Sequence, residues 1–296
     1  MLYSFLCATL WASTGIFVKF IDGMSVFHII WGRFLVAFIF GAVLLKAHSF
    51  SRSGPSAYQA QEFPLALMMT LYYVLATFSF YYAPVAVAAL LIALAPLFTF
   101  LLRLFLQSEF NQNELIGFLI AFAGLAFYFY GKDYAAEGYA ISDILLGSAL
   151  GLGAAFLRAM FSFSLWRRVN QGRVVNAANI NNLTLVLGVA LLLPCLLLQP
   201  GDAKVTQHNL ILIVGLGLLA TFLPNLLNNL SSMKLSPTLH NIIGMTTPIS
   251  ASLMAWAFLD EAQDLQALLA IIITVSGIFL SMRPSKKPVR IGATKS

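Results

Sequence analysis

The sequence predicts an all-α membrane protein, with ten transmembrane helices arranged as two inverted five-helix repeats. Three observations carry this expectation. The first is composition: of 296 residues, 60% are hydrophobic and only 9% are charged. Soluble domains carry about 25% charged residues, so most of this apolar surface must face lipid. The second is a succession of apolar stretches of spanning length, since a helix needs roughly 17–25 apolar residues to cross the hydrocarbon core. The third is a repeat. Pro84, Pro96, Glu109 and Gly124 recur as Pro237, Pro248, Glu261 and Gly277, an offset of 152 or 153 positions (Pro96 to Pro248, Pro84 to Pro237), and 13 positions separate the second proline from the glutamate in both copies.

Taken in order, the spans fall near 2–21, 25–46, 63–82, 84–106 and 111–130, then 142–166, 175–198, 208–230, 236–258 and 263–282. Turn or charge signals separate them: IDGMS, HSFSRSGPSAYQAQEF, SEFNQNE, GKDYAAEG, RRVNQGR, QPGDAKVTQH, SSMKLS and LDEAQD. The run from Met1 to Phe20 lacks the positive leader and small-residue cleavage pattern of a signal peptide, so it reads as a retained first span. Residues 1–130 form the first repeat, 131–282 the second, and 283–296 a basic cytoplasmic tail without regular structure.

The net charge of +6 raises the possibility of a nucleic-acid partner, but its distribution is topological. With both termini cytoplasmic, the inner side receives Lys46, Arg52, Arg103, Arg167, Arg168, Arg173, Lys234, Arg283, Lys286, Lys287, Arg290 and Lys295, whereas the outer side receives Lys19, Lys132 and Lys204. Basic residues collect on the cytoplasmic side of membrane proteins, which argues against a nucleic-acid partner. Five helices per repeat is an odd number, so the second copy enters the membrane upside down. Glu109 and Glu261 then stand on opposite faces, as helix-end tethers rather than a catalytic pair. Inverted halves can open alternately to either side around a site at their junction.

Trp11-Ala12-Ser13, Arg33, Ala83-Pro84, Pro96, Glu109, Gly117 and Gly124, followed by Ser236-Pro237, Pro248, Glu261 and Gly277, resemble the pattern of the drug/metabolite transporter superfamily. The resemblance is to its EamA-type members, bacterial ten-helix exporters, and it spans residues 2–282. It implies a bacterial cytoplasmic (inner) membrane location. It also implies a central cavity lined from both halves, and export or exchange of small metabolites such as amino acids. The eighth and ninth helices depart from the usual pattern by carrying many amides.

Polar groups at membrane depth are costly and mark candidate sites. Arg33 lies eight residues into the second span, about 10–12 Å along it, and Arg158 lies deep in the sixth. No carboxylate falls in the middle of a span to neutralise either, so each is read as a seat for an anionic group of a solute or as a structural arginine on helix-end carbonyls. Spacings of three and four place Thr221, Asn225 and Asn228 or Asn229 on one helix face, a stripe read either as cavity lining or as interhelical bonding. His240, Asn241, Gly244 and Thr247 form a second stripe between Pro237 and Pro248. His240 is the candidate for proton coupling, or else a neutral histidine bonded to an amide. Trp11 and Tyr72 are candidate cavity walls, and the Tyr81–Tyr82 pair suits an outer aromatic belt. Asn179, Asn181 and Asn182 are further lining candidates. Cys7 and Cys195 read as small core residues, and no cysteine or histidine spacing suits a metal.

These features predict a secondary transporter of a small polar metabolite, an amino acid or related compound, working by alternating access without a cofactor. No Walker-type glycine loop is present. The alternatives are a membrane-embedded enzyme acting on a lipid-linked substrate and a non-transporting scaffold or receptor.

Overall fold

The computed structural model describes residues 1–47, 57–83, 85–107, 109–130, 140–198, 204–259, 265–283 and 289–290. Pro84 and the acidic group Asp260, Glu261 and Asp264 lie outside the described residues, as does most of the basic tail. The chain is helical from α1 (Leu2–Phe20) and α2 (Val26–Ala47) through α3 (Ala57–Tyr82), α4 (Val85–Ile92), α5 (Ala95–Gln107) and α6 (Gln112–Phe129). It continues with α7 (Ile141–Asn170), α8 (Ala177–Leu198), α9 (Gln207–Gly217), α10 (Leu223–Ser232), α11 (Pro237–Ile243), α12 (Thr246–Leu259) and α13 (Leu265–Ser281). A π turn, Leu218–Phe222, joins α9 to α10.

Among the described residues, seven helical stretches are long and apolar enough to cross a membrane, and Gln112–Phe127 and Leu268–Ser281 are shorter apolar helices. Large apolar side chains such as Phe105, Ile141, Leu198 and Phe279 lie exposed, as a surface solvated by lipid requires. This is a multi-pass membrane protein.

Three of the continuous spans expected from sequence are broken. Pro96 has no N–H for the carbonyl of Ile92, and the chain passes through a tight turn at Ala93–Leu94 in which the Leu94 N–H bonds the Leu91 carbonyl at 3.1 Å. Pro248 does the same to Gly244, with Met245 N–H on the Ile242 carbonyl at 2.9 Å and Thr247 N–H on the Gly244 carbonyl at 3.0 Å. The third break is the π turn ahead of Pro224. The tail also departs from expectation, because β2 (Val289–Arg290) pairs antiparallel with β1 (Glu109–Phe110).

Contacts between links define the two ends of the bundle. At one end Lys234 lies over the Tyr3 ring, 5.6 Å from its centroid, and Ser236 donates to Glu114 at 3.2 Å. The Glu114 carboxylate is ion-paired with Arg103, whose guanidinium also donates to Thr238 at 3.2 Å. At the opposite end Lys204 N–H bonds the Gly23 carbonyl at 3.0 Å, and the Asn209 amide donates to the Asp22 carbonyl at 2.8 Å.

The tightest helix pair is α6 against α13. A Cβ on Gly117 would lie 2.6 Å from the Gly277 carbonyl oxygen and 2.7 Å from the Ser281 nitrogen. Small residues permit this backbone approach, which packs helices in lipid where no hydrophobic drive exists between them. Gly117 and Gly277 are thus required by steric contact with each other.

Candidate functional site

Helix α7 carries a face of small residues at helical spacing, Gly147, Gly151, Ala154 and Ala155, followed by Arg158. The face lets α7 pack closely on α3. Ser79 donates to the Gly147 carbonyl at 2.7 Å, and a Cβ on Gly147 would lie 2.8 Å from the Ala83 nitrogen. Continuing that face by one turn brings Arg158, 3% exposed, to a cavity between the helix breaks.

The cavity has a volume of about 30 Å³ and is lined by Trp11, Thr14, Tyr72, Ala76, Phe80, Ala89, Ile92, Ala93, Arg158, Gly244, Thr247 and Pro248. Both breaks reach it, through Ala93 and through Gly244. One water occupies roughly 10–15 Å³ on this measure, so the space suits a few waters, and any larger solute requires the walls to part.

The Arg158 guanidinium lies over the Trp11 ring at 4.8 Å from its centroid. Among the described residues its Nε has no hydrogen-bond partner, and neither has the Thr247 hydroxyl on the facing break. Gly244 makes the space for the guanidinium, because a Cβ there would collide with Arg158 Nη2. A desolvated cation–π contact is worth about 2 kcal/mol, well short of the several kcal/mol that burying a cation costs.

Arg33 has a different role. It is 1% exposed and satisfied on three sides: Nε donates to Thr221 Oγ1 at 2.8 Å, Nη1 to Thr77 Oγ1 at 2.8 Å and Nη2 to the Ala220 carbonyl at 2.9 Å. Its guanidinium also lies 4.9 Å from the Tyr73 ring centroid. Tyr73 accepts from Trp11 Nε1 at 3.1 Å and donates to the Thr221 carbonyl at 3.2 Å. The Trp11 and Tyr72 rings meet at a tilt of 55° with centroids 5.5 Å apart. An aromatic cluster thus separates the saturated Arg33 from the open Arg158.

Of the residues singled out from sequence, Arg158, Trp11 and Tyr72 meet at the cavity, with Gly244 and Thr247. Arg33 does not line it. Asn225, Asn228 and Asn229 are fully buried but bond to neighbouring helices. Asn225 donates to Asn181 at 2.7 Å and Asn229 to the Ala177 carbonyl at 3.2 Å. Asn228 accepts from His240 Nε2 at 2.9 Å, while His240 Nδ1 meets Ser4 at 2.8 Å, and Ser4 in turn contacts Ser231. With both nitrogens engaged, His240 ties α1, α10 and α11 together. Asn241 stands one turn from Gly244, buried, with neither amide atom bonded.

Sequence reasoning missed Thr14 and Phe80 in the cavity. It also missed the Arg103–Glu114 pair with Ser236 and Thr238. Thr14 was within reach of it, since it follows Trp11 by three positions and shares its helix face.

The EamA-like transporter family matches residues 1–130 and 145–283. The chain belongs to the EamA-like transporter family. Members of this family are membrane transporters of small molecules. One solved crystal structure shares the fold with a TM-score of 0.75 over 95% of each chain at 18% identity. No curated protein matches the chain.

Proposed function

We propose that this EamA-family protein is a secondary transporter that exports or exchanges a small metabolite bearing a carboxylate or similar anionic group, amino acids and related compounds included. Its two five-helix halves, residues 1–130 and 131–282, stand in inverted relation and open the central cavity alternately to either side of a bacterial inner membrane, with both termini cytoplasmic. One observation carries the reading. Among the described residues, Arg158 is buried without a counter-ion at a cavity where two proline-broken segments meet, α4–α5 and α11–α12. Discontinuous helices near the midplane are where transporters bind solutes, and a membrane-buried cation is retained where it has a partner to meet.

Proton coupling rests on His240. Engagement of both its ring nitrogens favours a neutral tether, and uptake into vesicles insensitive to collapse of a pH gradient is the corresponding result. Solute flux in proteoliposomes tests the main reading. Flux that falls on Arg158→Gln while the protein stays folded supports it. Absence of flux for every small anion and zwitterion offered favours a scaffold or an enzyme instead.

A further inference from the structure

We infer that the site takes a net-negative organic anion with an apolar body, in preference to a zwitterionic amino acid or a cation. The inference rests on the transport reading above and narrows its substrate class.

The first argument is charge. Among the described residues lining the cavity, Arg158 is the one charged group. The buried carboxylates are elsewhere: Glu114 is paired with Arg103, and Glu62 accepts from Asn176 N–H at 2.8 Å. An ammonium group entering the cavity therefore meets a like charge and no carboxylate. A zwitterion leaves the buried guanidinium uncompensated in net charge, whereas a monoanion neutralises it. Burial of an unpaired charge is the more costly state, so the monoanion gains most from the site.

The second argument is the wall. Beyond Arg158, Thr14 and Thr247, the lining consists of Trp11, Tyr72, Phe80 and small aliphatic residues. Trp11 has already committed its N–H to Tyr73. The amides that would suit a polar solute lie outside the lining: Asn225 and Asn229 each make an interhelical bond through one amide atom, Asn228 bonds His240, and neither they nor Asn241 border the cavity. What remains is one anion seat, with Arg158 and Thr247 as donors, beside an aromatic and aliphatic surface. The loaded site is electroneutral and the empty one carries a positive charge.

The test uses the purified full-length protein. Thermal shift is measured with phenylacetate, benzenesulfonate, phenylalanine and phenethylamine, on wild type, Arg158→Gln and Arg158→Lys. Flux of all four compounds, labelled, is then followed in proteoliposomes, with benzenesulfonate as the reference anion because its sulfonate stays ionised and does not leak across as a neutral acid. The expected result is stabilisation by phenylacetate and benzenesulfonate at concentrations roughly tenfold below those needed for phenylalanine, none by phenethylamine, and loss of the effect in Arg158→Gln with partial retention in Arg158→Lys. Arg158-dependent stabilisation and transport of phenylalanine equal to or better than the anions overturns the substrate class and leaves the transport reading standing. No Arg158-dependent binding or flux of any of the four overturns both.

Discussion

Arg33 caps a carbonyl that Pro224 has orphaned. In a regular helix the Ala220 carbonyl accepts from the residue four positions on. That residue is Pro224, which has no N–H, and Arg33 Nη2 donates to the same oxygen from 2.9 Å. The remaining guanidinium nitrogens bind the hydroxyls of Thr221 and Thr77, and Thr221 bonds back to the Leu216 carbonyl at 2.8 Å, closing the π turn. The arginine is an integral part of that turn.

Arg33→Met therefore leaves the buried Ala220 carbonyl without this donor and takes one of two bonds from each of the Thr221 and Thr77 hydroxyls, which keep those to the Leu216 and Tyr73 carbonyls. At about 1–3 kcal/mol for an unsatisfied group, with two further bonds lost, the loss is severe, and a large fall in melting temperature or in folded yield is expected. Arg33→Lys should rescue little, since one ammonium lacks the geometry of a planar fork. Melting temperatures in detergent check this; a near-native Arg33→Met contradicts the structural assignment.

Gly244→Ala should impair solute binding rather than folding. Its new methyl group would occupy the position of Arg158 Nη2, forcing the guanidinium out of its seat over Trp11. Flux is expected to drop roughly tenfold, equivalent to about 1.4 kcal/mol. Gly153→Ala serves as a control on the same bundle, because its Cβ would meet the Leu75 Cδ1 methyl at 3.1 Å, a side chain able to shift. Equal flux in both variants contradicts the role of Gly244.

Gly117→Val should separate α6 from α13. The contact is backbone to backbone, with the Gly277 carbonyl 2.6 Å from the added carbon, so no side-chain rotation relieves it. Overpacking costs about 1–3 kcal/mol where neighbours can adjust, and this site lies at the upper end or beyond. Folded yield and melting temperature are the measurements.

Glu114→Gln should loosen the end of the bundle where Arg103, Ser236 and Thr238 converge. Cys7 reports on this, being 1% exposed and donating to the Pro224 carbonyl at 3.2 Å. In a Cys195→Ser background, maleimide labelling of Cys7 should accelerate several-fold in Glu114→Gln, because the charged pair that joins α5 to α6 is lost. Unchanged labelling contradicts a role for this cluster in holding that end of the bundle together.

Much of the architecture was legible because lipid imposes simple rules. Composition and run length gave the membrane class, whereas Pro96 and Pro248 were read only as markers of the repeat and the helix breaks they make were not foreseen. Trp11 and Arg158 were legible as polar or amphipathic groups at mid-span. The amide stripe of α10 illustrates the limit. Spacing correctly grouped Asn225 and Asn228 on a buried face, but periodicity identifies a face without identifying what it meets, and these amides meet α8 and α11. The saturation of Arg33 was equally hidden, since its partners Ala220 and Thr221 lie far along the chain and depend on how α2 packs against the π turn. His240 likewise acquired Ser4 as a partner only through the packing of α1 on α10 and α11.

The most direct test of the account is solute flux in Arg158→Gln proteoliposomes compared with wild type at equal reconstitution and matched melting temperature. Loss of a charge-assisted hydrogen bond worth about 1.5–3 kcal/mol predicts a roughly 10- to 100-fold fall in transport of a small organic anion. Wild-type flux in Arg158→Gln contradicts the assignment of the cavity at Arg158, Trp11 and Gly244 as the transport site.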